Sequence, residues 1–302
     1  MQTEPERSDA GRNQLKKLHA RTAFKFLAPT FIIMILVAVY PLGRTFYLSL
    51  TDYSFFEESA EFVGLDNYYY LLQDPEWRTA LWNTLFFAVV SVFLQVGIGL
   101  GFALVLNANF PGRRFARAAN LIPLVIALTV ASQLWKWMYH DVFGVVNDIF
   151  LRLGVIDRPV AWLDNPSTAM WAIIAMATWK FVPFVTILLL AAMQSIPGEL
   201  YEAASIDGAG SLQKFKNVTL PMLRGAIGVV VVFRMLDALR VFDIIYVMTG
   251  NTNSTITISM YARQQMIEFG LMGYGSAVSV AIFAVILAGT LVYMRMLKLE
   301  VR

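Results

Sequence analysis

The chain has no cysteine and only two histidines, His19 and His140, among its 302 residues. Disulfides, thiolate metal sites and cysteine nucleophiles are therefore excluded, and the two histidines are too far apart for a metal-ligand spacing. Charge is scarce as well: 15% of residues are charged, against about 25% in an ordinary soluble domain. Neither H-E-x-x-H nor G-x-S-x-G is present. Gly208-Ala209-Gly210 followed by Lys214 lacks the spacing of a phosphate-binding loop. No basic and aromatic patch points to nucleic acid, no catalytic constellation or metal site is visible, and no internal repeat is detected. No cleavable signal peptide is evident, because the first 25 residues are polar and charged and the apolar run after them is long enough to span.

What the chain has in excess is apolar surface. Hydrophobic residues make up 58% and the mean hydropathy is +0.59, too much for one soluble core, so lipid must solvate part of the surface. A membrane-spanning helix takes roughly 20 largely apolar residues. Six such runs occur, at about 24–50, 80–107, 118–140, 168–193, 222–249 and 273–294. Lipid forces them to be helical, because a backbone in hydrocarbon must satisfy its own hydrogen bonds. The expectation is an all-α membrane protein with six transmembrane helices, a tail over 1–23 and a membrane domain over 24–302.

An even number of spans places both termini on one side. The face holding the termini, the second loop and the fourth loop carries 15 Lys and Arg, including Arg113, Arg114, Arg117, Lys214 and Lys216; the other face carries 4, Arg78, Arg152, Arg158 and Arg263. Positive charge accumulates inside, so both termini are expected in the cytoplasm. The outer loops are rich in aromatics, among them Tyr68, Tyr69, Tyr70, Trp77, Trp82 and Trp162. These suit an interfacial belt or a platform for an extracytoplasmic partner.

The fourth loop, 195–221, is the polar exception in an apolar chain. Pro197-Gly198 ends the fourth span, and Glu199 suits the first turn of a new helix. Leu200–Ile206 reads as one short helix, stopped by Asp207-Gly208 because Gly tolerates a left-handed exit. Ser211 is a candidate cap for a second short helix carrying Leu212 and Phe215 to Leu220-Pro221. Two short helices at an angle form a stiff element able to transmit a partner's rigid-body motion.

The fifth span holds Arg234, Asp237, Arg240 and Asp243. Each costs roughly 2.5–3.5 kcal/mol at mid-membrane on insertion scales, so each must face protein or water. As one helix, the four sweep about half the circumference and rise about 13 Å. Arg234–Asp237 and Arg240–Asp243 are i,i+3 neighbours able to pair. They brace the subunit against its neighbours, or they line a hydrated cavity where charged groups bond to hydroxyls and Phe242 and Tyr246 stack on a sugar ring. Trp179-Lys180 is a second candidate, with Pro183 expected to kink or loosen the helix nearby; the alternative is a snorkelling lysine. Trp135-Lys136-Trp137 and Arg44 read as interfacial anchors. Gly97-Ile98-Gly99-Leu100-Gly101 suits close helix packing.

Glu202-Ala203-Ala204-Ser205-Ile206-Asp207-Gly208-Ala209, with Leu220-Pro221 after it, resembles the cytoplasmic coupling loop of ATP-binding-cassette (ABC) importer permeases. Tyr40-Pro41-Leu42, Phe62-Val63-Gly64-Leu65-Asp66-Asn67-Tyr68, Asn83-Thr84-Leu85, Ile122-Pro123 and Val241 to Gly250 resemble its carbohydrate-uptake branch, the MalF-like permeases for maltose, trehalose, polyols or glycerol phosphate. Gly250-Asn251-Thr252-Asn253 departs from it, since relatives usually read Gly-Gly-Pro there.

The resemblance implies a type I importer permease fold in a bacterial or archaeal inner membrane. Glu202, Ala203, Ala204, Asp207, Gly208 and Ala209 would contact the ATPase, and Asp237, Arg240, Asp243, Tyr246, Phe242, Arg234 and Trp179 are the candidates for the substrate path. The implied partners are a second, MalG-like permease, two ATPase subunits that bind ATP and Mg, a periplasmic or lipid-anchored solute-binding protein, and lipid, with no cofactor in this chain. A stand-alone proton-coupled carrier using Asp237 or Asp243 is the alternative; such carriers often show internal repeats.

Overall fold

A computed structural model describes residue 19 and residues 21–56 and 60–297, with no account of the side chains of 293, 294, 296 and 297. Most of the expected 1–23 tail lies outside the described residues. Helices dominate, and among the described residues the one β-bridge joins Thr51 and Phe62.

Among the described residues four helices are long and apolar enough to cross a membrane: α1 (Arg21–Leu48), α3 (Pro75–Asn107), α7 (Pro166–Gln194) and α13, whose apolar part is Met272–Val292. The short α2 (Asp66–Gln73) precedes α3, whose start is fixed by Asp74, whose carboxylate accepts from the Glu76 and Trp77 amides, and by Pro75 at the first helical position. That cap starts the helix five residues before the apolar run expected at 80.

The run expected as one span at 118–140 is two helices. They are α4 (Arg113–Val125) and α5 (Leu128–Met138), bent by 93° at Ile126-Ala127. After α6 (Val145–Arg152) and α7, the cytoplasmic-loop candidate forms α8 (Gly198–Ile206) and α9 (Ser211–Lys214). A π-helical turn, Phe215–Thr219, leads into α10 (Leu220–Leu239). The expected span 222–249 is broken too: α10 stops at Leu239, and α11 (Asp243–Met248) starts after an irregular turn. Two short pieces, α12 (Ile258–Arg263) and a π turn over Gln264–Glu268, precede α13 (Met272–Leu297).

α3 and α7 form the central pair. Phe87, Ala88 and Val92 pack with Ile173, Met176 and Ala177, while Ala103, Val185, Leu189, Leu223 and Val230 form a second cluster. Of the expected small-residue motif, Gly99 makes the close approach: a Cβ there would sit 2.6 Å from a Val185 methyl, whereas Gly97 and Gly101 meet nothing within 4 Å. α7 runs unbroken through Pro183, contrary to the kink expected there. α1 stands apart, with its apolar stretch unburied and only its Tyr40–Leu48 end packed on α13.

The helix ends opposite the 195–221 loop are tied by side-chain staples. Asn67 donates to the Ser49 and Thr51 carbonyls (2.9 and 2.8 Å), and Asn83 donates to Ile256 O (3.0 Å). The Thr84 hydroxyl accepts the Ile258 amide at 3.0 Å. Tyr261 and Tyr274 both donate to Asp74. Burial pushes the Asp74 carboxyl up, but bonds from Tyr261, the two helix amides and Tyr274 outweigh it and hold it below the usual carboxylate range. Its stabilising contribution is therefore present at neutral pH and lost as pH falls through that lowered value.

Gly273 sits where a Cβ would lie 2.0 Å from Thr51 O. Gly273→Ala forces backbone to move and should destabilise by about 1–3 kcal/mol, whereas Gly97→Ala meets open space and should be neutral or stabilising. Thermal melting of the purified assembly, read by size-exclusion fluorescence, compares the two.

Candidate functional site

The second helix break makes the site. Arg240 and Val241 turn their amides back to Asp237 O and Ala238 O, both at 3.2 Å, which closes α10 in a tightened last turn. Thr257, on the loop that Asn83 and Thr84 staple, donates its hydroxyl to the freed Val241 carbonyl at 3.2 Å. Irregular backbone at membrane depth survives where it is buried in protein or borders a cavity open to water, and this turn borders a cavity with charged lining. A cavity of about 420 Å³ is lined by Phe87, Leu128, Phe181, Arg234, Asp237, Arg240, Phe242 and Asp243, among others.

Arg234 is the fixed point of its wall. The residue is 3% exposed. Its Nε donates to Gln95 Oε1 at 2.9 Å and its Nη1 to Asp237 Oδ2 at 3.0 Å. The guanidinium also lies over the Phe181 ring, 3.8 Å from its centroid, a cation–π contact that strengthens in a desolvated setting. Gln95, fully buried on α3, is oriented in turn by its own donation to Ala177 O at 3.5 Å. Gln95 is the residue that the sequence reading missed; the available signal was a lone amide inside an apolar run. The expected Arg234–Asp237 pair is present, at 3.0 Å. The expected Arg240–Asp243 pair is replaced by Arg240–Asp237 at 3.6 Å, because the helix that would have aligned 240 with 243 ends before them. The outcome is a buried cation holding an exposed carboxylate, with a second, exposed cation beside it.

The other candidates divide. Phe242 and Asp243 line this cavity, while Tyr246 does not; its ring stacks on Phe242 (5.4 Å, 13° between planes) and carries Arg263 at 4.8 Å on the ring. Trp179 faces a separate apolar cavity of about 930 Å³ between α3, α4 and α7 and packs on Trp135 at 5.6 Å. Lys180 does not snorkel. It is 4% exposed and donates to Pro123, Leu124 and Ile126 carbonyls. Lys136, read as an interfacial anchor, donates to Val247 O at 3.1 Å.

The Glu202 segment forms the expected short helix, beginning two residues earlier than the Leu200 start read from the sequence. Gly208 has φ +75°, the Ala209 amide reaches back to Ala204 O (2.9 Å), and the Gly208 amide reaches Ser205 O (3.1 Å). This is the paired bonding of a glycine-ended helix. The next helix is capped at Gly210, not Ser211, with Gln213 Oε1 accepting the Gly210 amide at 2.8 Å. Tyr201 and Thr219 share a hydroxyl bond of 3.0 Å that ties the two arms. Glu202, Ala203, Asp207 and Gly208 are exposed, and Ile206 is 87% exposed, an apolar side chain left open on a rigid support.

Residues 27–300 match the family described as "Binding-protein-dependent transport system inner membrane component". The chain is 40% identical over 286 residues to "Trehalose/maltose transport system permease protein MalF" of Thermococcus litoralis, covering 94% of this chain and 96% of that one. It is 38% identical over 279 residues to "Sulfoquinovosyl glycerol transport system permease protein SmoG" of Agrobacterium fabrum, covering 91% and 90%. A chain of a bacterial ABC transporter involved in the import of the acidic polysaccharide alginate superposes with TM-score 0.83 at 24% identity, over 96% of this chain and all of that one. A chain of the alginate transporter in complex with alginate pentasaccharide-bound periplasmic protein gives 0.78 at 25% identity, over 96% of each.

Gln95→Leu would leave Arg234 Nε buried without its acceptor. The expected cost is about 1–3 kcal/mol, seen as a lower melting temperature of the assembly. An unchanged melting temperature would show that Gln95 does not hold Arg234.

Proposed function

Since this chain belongs to the family of binding-protein-dependent transport system inner membrane components, we propose that the cavity beside Asp237 is the passage for a carbohydrate or polyol. The chain is a multi-pass membrane permease subunit of an ABC importer and not an enzyme; ATP hydrolysis belongs to a separate subunit. It works with a solute-binding protein and a partner permease.

The observation that carries the carbohydrate reading is the composition of the cavity wall. Asp237, Arg240 and Asp243 supply charged groups for hydroxyls, and Phe87, Phe181 and Phe242 supply apolar ring faces. Its volume, about 420 Å³, falls in the usual range for small-molecule sites. Relatives named for trehalose, maltose and sulfoquinovosyl glycerol transport support the same class. Phe242 is the ring assigned to sugar contact, with Tyr246 setting its angle. Trp179 is assigned to the wall of the apolar cavity.

The finer architecture is also our reading. The fifth span is α10 with α11, and the third is the bent pair α4–α5. Both termini and α8 face the cytoplasm, by the distribution of Lys and Arg. Two ATPase subunits, holding ATP and Mg, receive α8, with Glu202, Ala203, Ala204, Asp207, Gly208 and Ala209 at the contact. ATP-driven closure then turns α8 and opens the cavity outward by rigid-body motion. None of the relatives named above is described as a proton-coupled carrier.

Reconstitution with partner permease, ATPase and binding protein tests both halves. Gly208→Arg places a bulky residue at a positive φ and at the contact; it should cut ATPase co-purification and transport roughly tenfold or more. Asp237→Asn, which keeps an acceptor for the buried Arg234, should leave assembly intact while uptake falls by a similar factor. Unimpaired uptake by Asp237→Asn would remove the cavity from the path.

A further inference from the structure

The elbow between α4 and α5 has no cap of its own. Ile126 and Ala127 are extended (ψ 132° and 141°), so the last carbonyls of α4 lose their helical donors. Pro123, four residues before Ala127, already lacks an amide of its own. In a bilayer such carbonyls need partners from within the protein. Lys180, which lies 54 to 57 residues away in sequence, supplies them: its ammonium donates to Pro123 O at 2.6 Å, Leu124 O at 3.2 Å and Ile126 O. Among the described residues no carboxylate pairs with Lys180. Its charge is met by the negative end of the α4 dipole.

The residues just past the elbow belong to the cavity. Leu128, the first residue of α5, lines it. Further along α5, Lys136 donates to Val247 O of α11, and α11 begins with Asp243, another lining residue. A continuous set of contacts thus runs from the Lys180 ammonium through the elbow and α5 to two parts of the cavity wall.

We propose that Lys180 is a positioning residue for transport: by holding three carbonyls at the α4–α5 elbow it fixes the bend that places Leu128 and the Asp243 helix around the substrate. Lys180 does not touch substrate and does not line the cavity. The inference rests on the cavity reading above, but the bend itself can be measured without substrate.

The test uses the complete transporter in nanodiscs. The chain has no cysteine, so Phe115→Cys and Trp137→Cys, at the exposed far ends of α4 and α5, carry the only spin labels on this subunit. Lys180→Met keeps the length and removes the donors. The expected result is a broadened label-to-label distance distribution relative to Lys180, narrowed again by Lys180→Arg. With unlabelled protein, the substrate concentration for half-maximal uptake should rise about tenfold while binding-protein stimulation of ATPase persists. An unchanged distance distribution overturns the elbow role. A broadened distribution with unchanged half-saturation overturns the link to the cavity while leaving the elbow intact. If Lys180→Met fails to assemble, Lys180→Leu, which is smaller and likewise removes the donors, is measured in the same way; behaviour indistinguishable from Lys180 overturns the proposal.

Discussion

Within hydrocarbon, a carbonyl released from a helix has no water to accept a bond from, and this constraint organises the whole chain. Two of its membrane runs are broken, and each break is supported by side chains from elsewhere. At the first, Lys180 of α7 takes the loose end of α4. At the second, Thr257 takes Val241 O and Lys136 takes Val247 O. The donors themselves are held: Asn83 and Thr84 staple the loop that presents Thr257. These donors stay outside the cavity and hold the two breaks in place, while residues at the breaks themselves, Leu128 at the first and Val241, Phe242 and Asp243 at the second, form its wall.

The electrostatics follow from the same economy. Arg234 is buried but never alone, since Gln95, Asp237 and the face of Phe181 each take part of its charge. Asp237 and Arg240 are left more than half exposed, so they are available to a polar cargo. A cavity whose inner side is locked by a buried cation and whose open side carries both signs of charge suits a neutral, hydroxyl-rich solute better than a strongly charged one. Arg234 is held by residues of its own chain, and both it and Asp237 border the cavity.

Some of this was legible in the sequence because its causes are local. Glycine in the left-handed region ends a helix wherever it stands, so the Gly208 exit and the short helix before it could be read directly. Continuous spans follow from hydropathy alone, and α1, α3, α7 and α13 lie close to their expected positions. The broken spans were not legible, because apolar content is continuous across Ile126, the charges around Val241 are compatible with an unbroken helix, and the donors that permit each break come from distant segments. Pro183 was the expected kink, yet α7 runs through it, whereas the break falls just after Pro123, whose carbonyl Lys180 holds. The Arg240–Asp243 pair failed for the same reason: helical spacing was assumed across a turn. Gln95 was overlooked because a single amide hardly changes the hydropathy of its run.

The central claim is that the two helix breaks wall a hydrated passage for the solute. Thiol accessibility measures this directly in a chain with no native cysteine. Leu128→Cys and Asp243→Cys, one beside each break, would be exposed in the assembled transporter to a small hydrophilic thiol reagent, with and without transport substrate. The account predicts that both react and that substrate trapped in the transporter slows both reactions. Thiols that stay inert at both positions, or that react equally fast with substrate present, would contradict it.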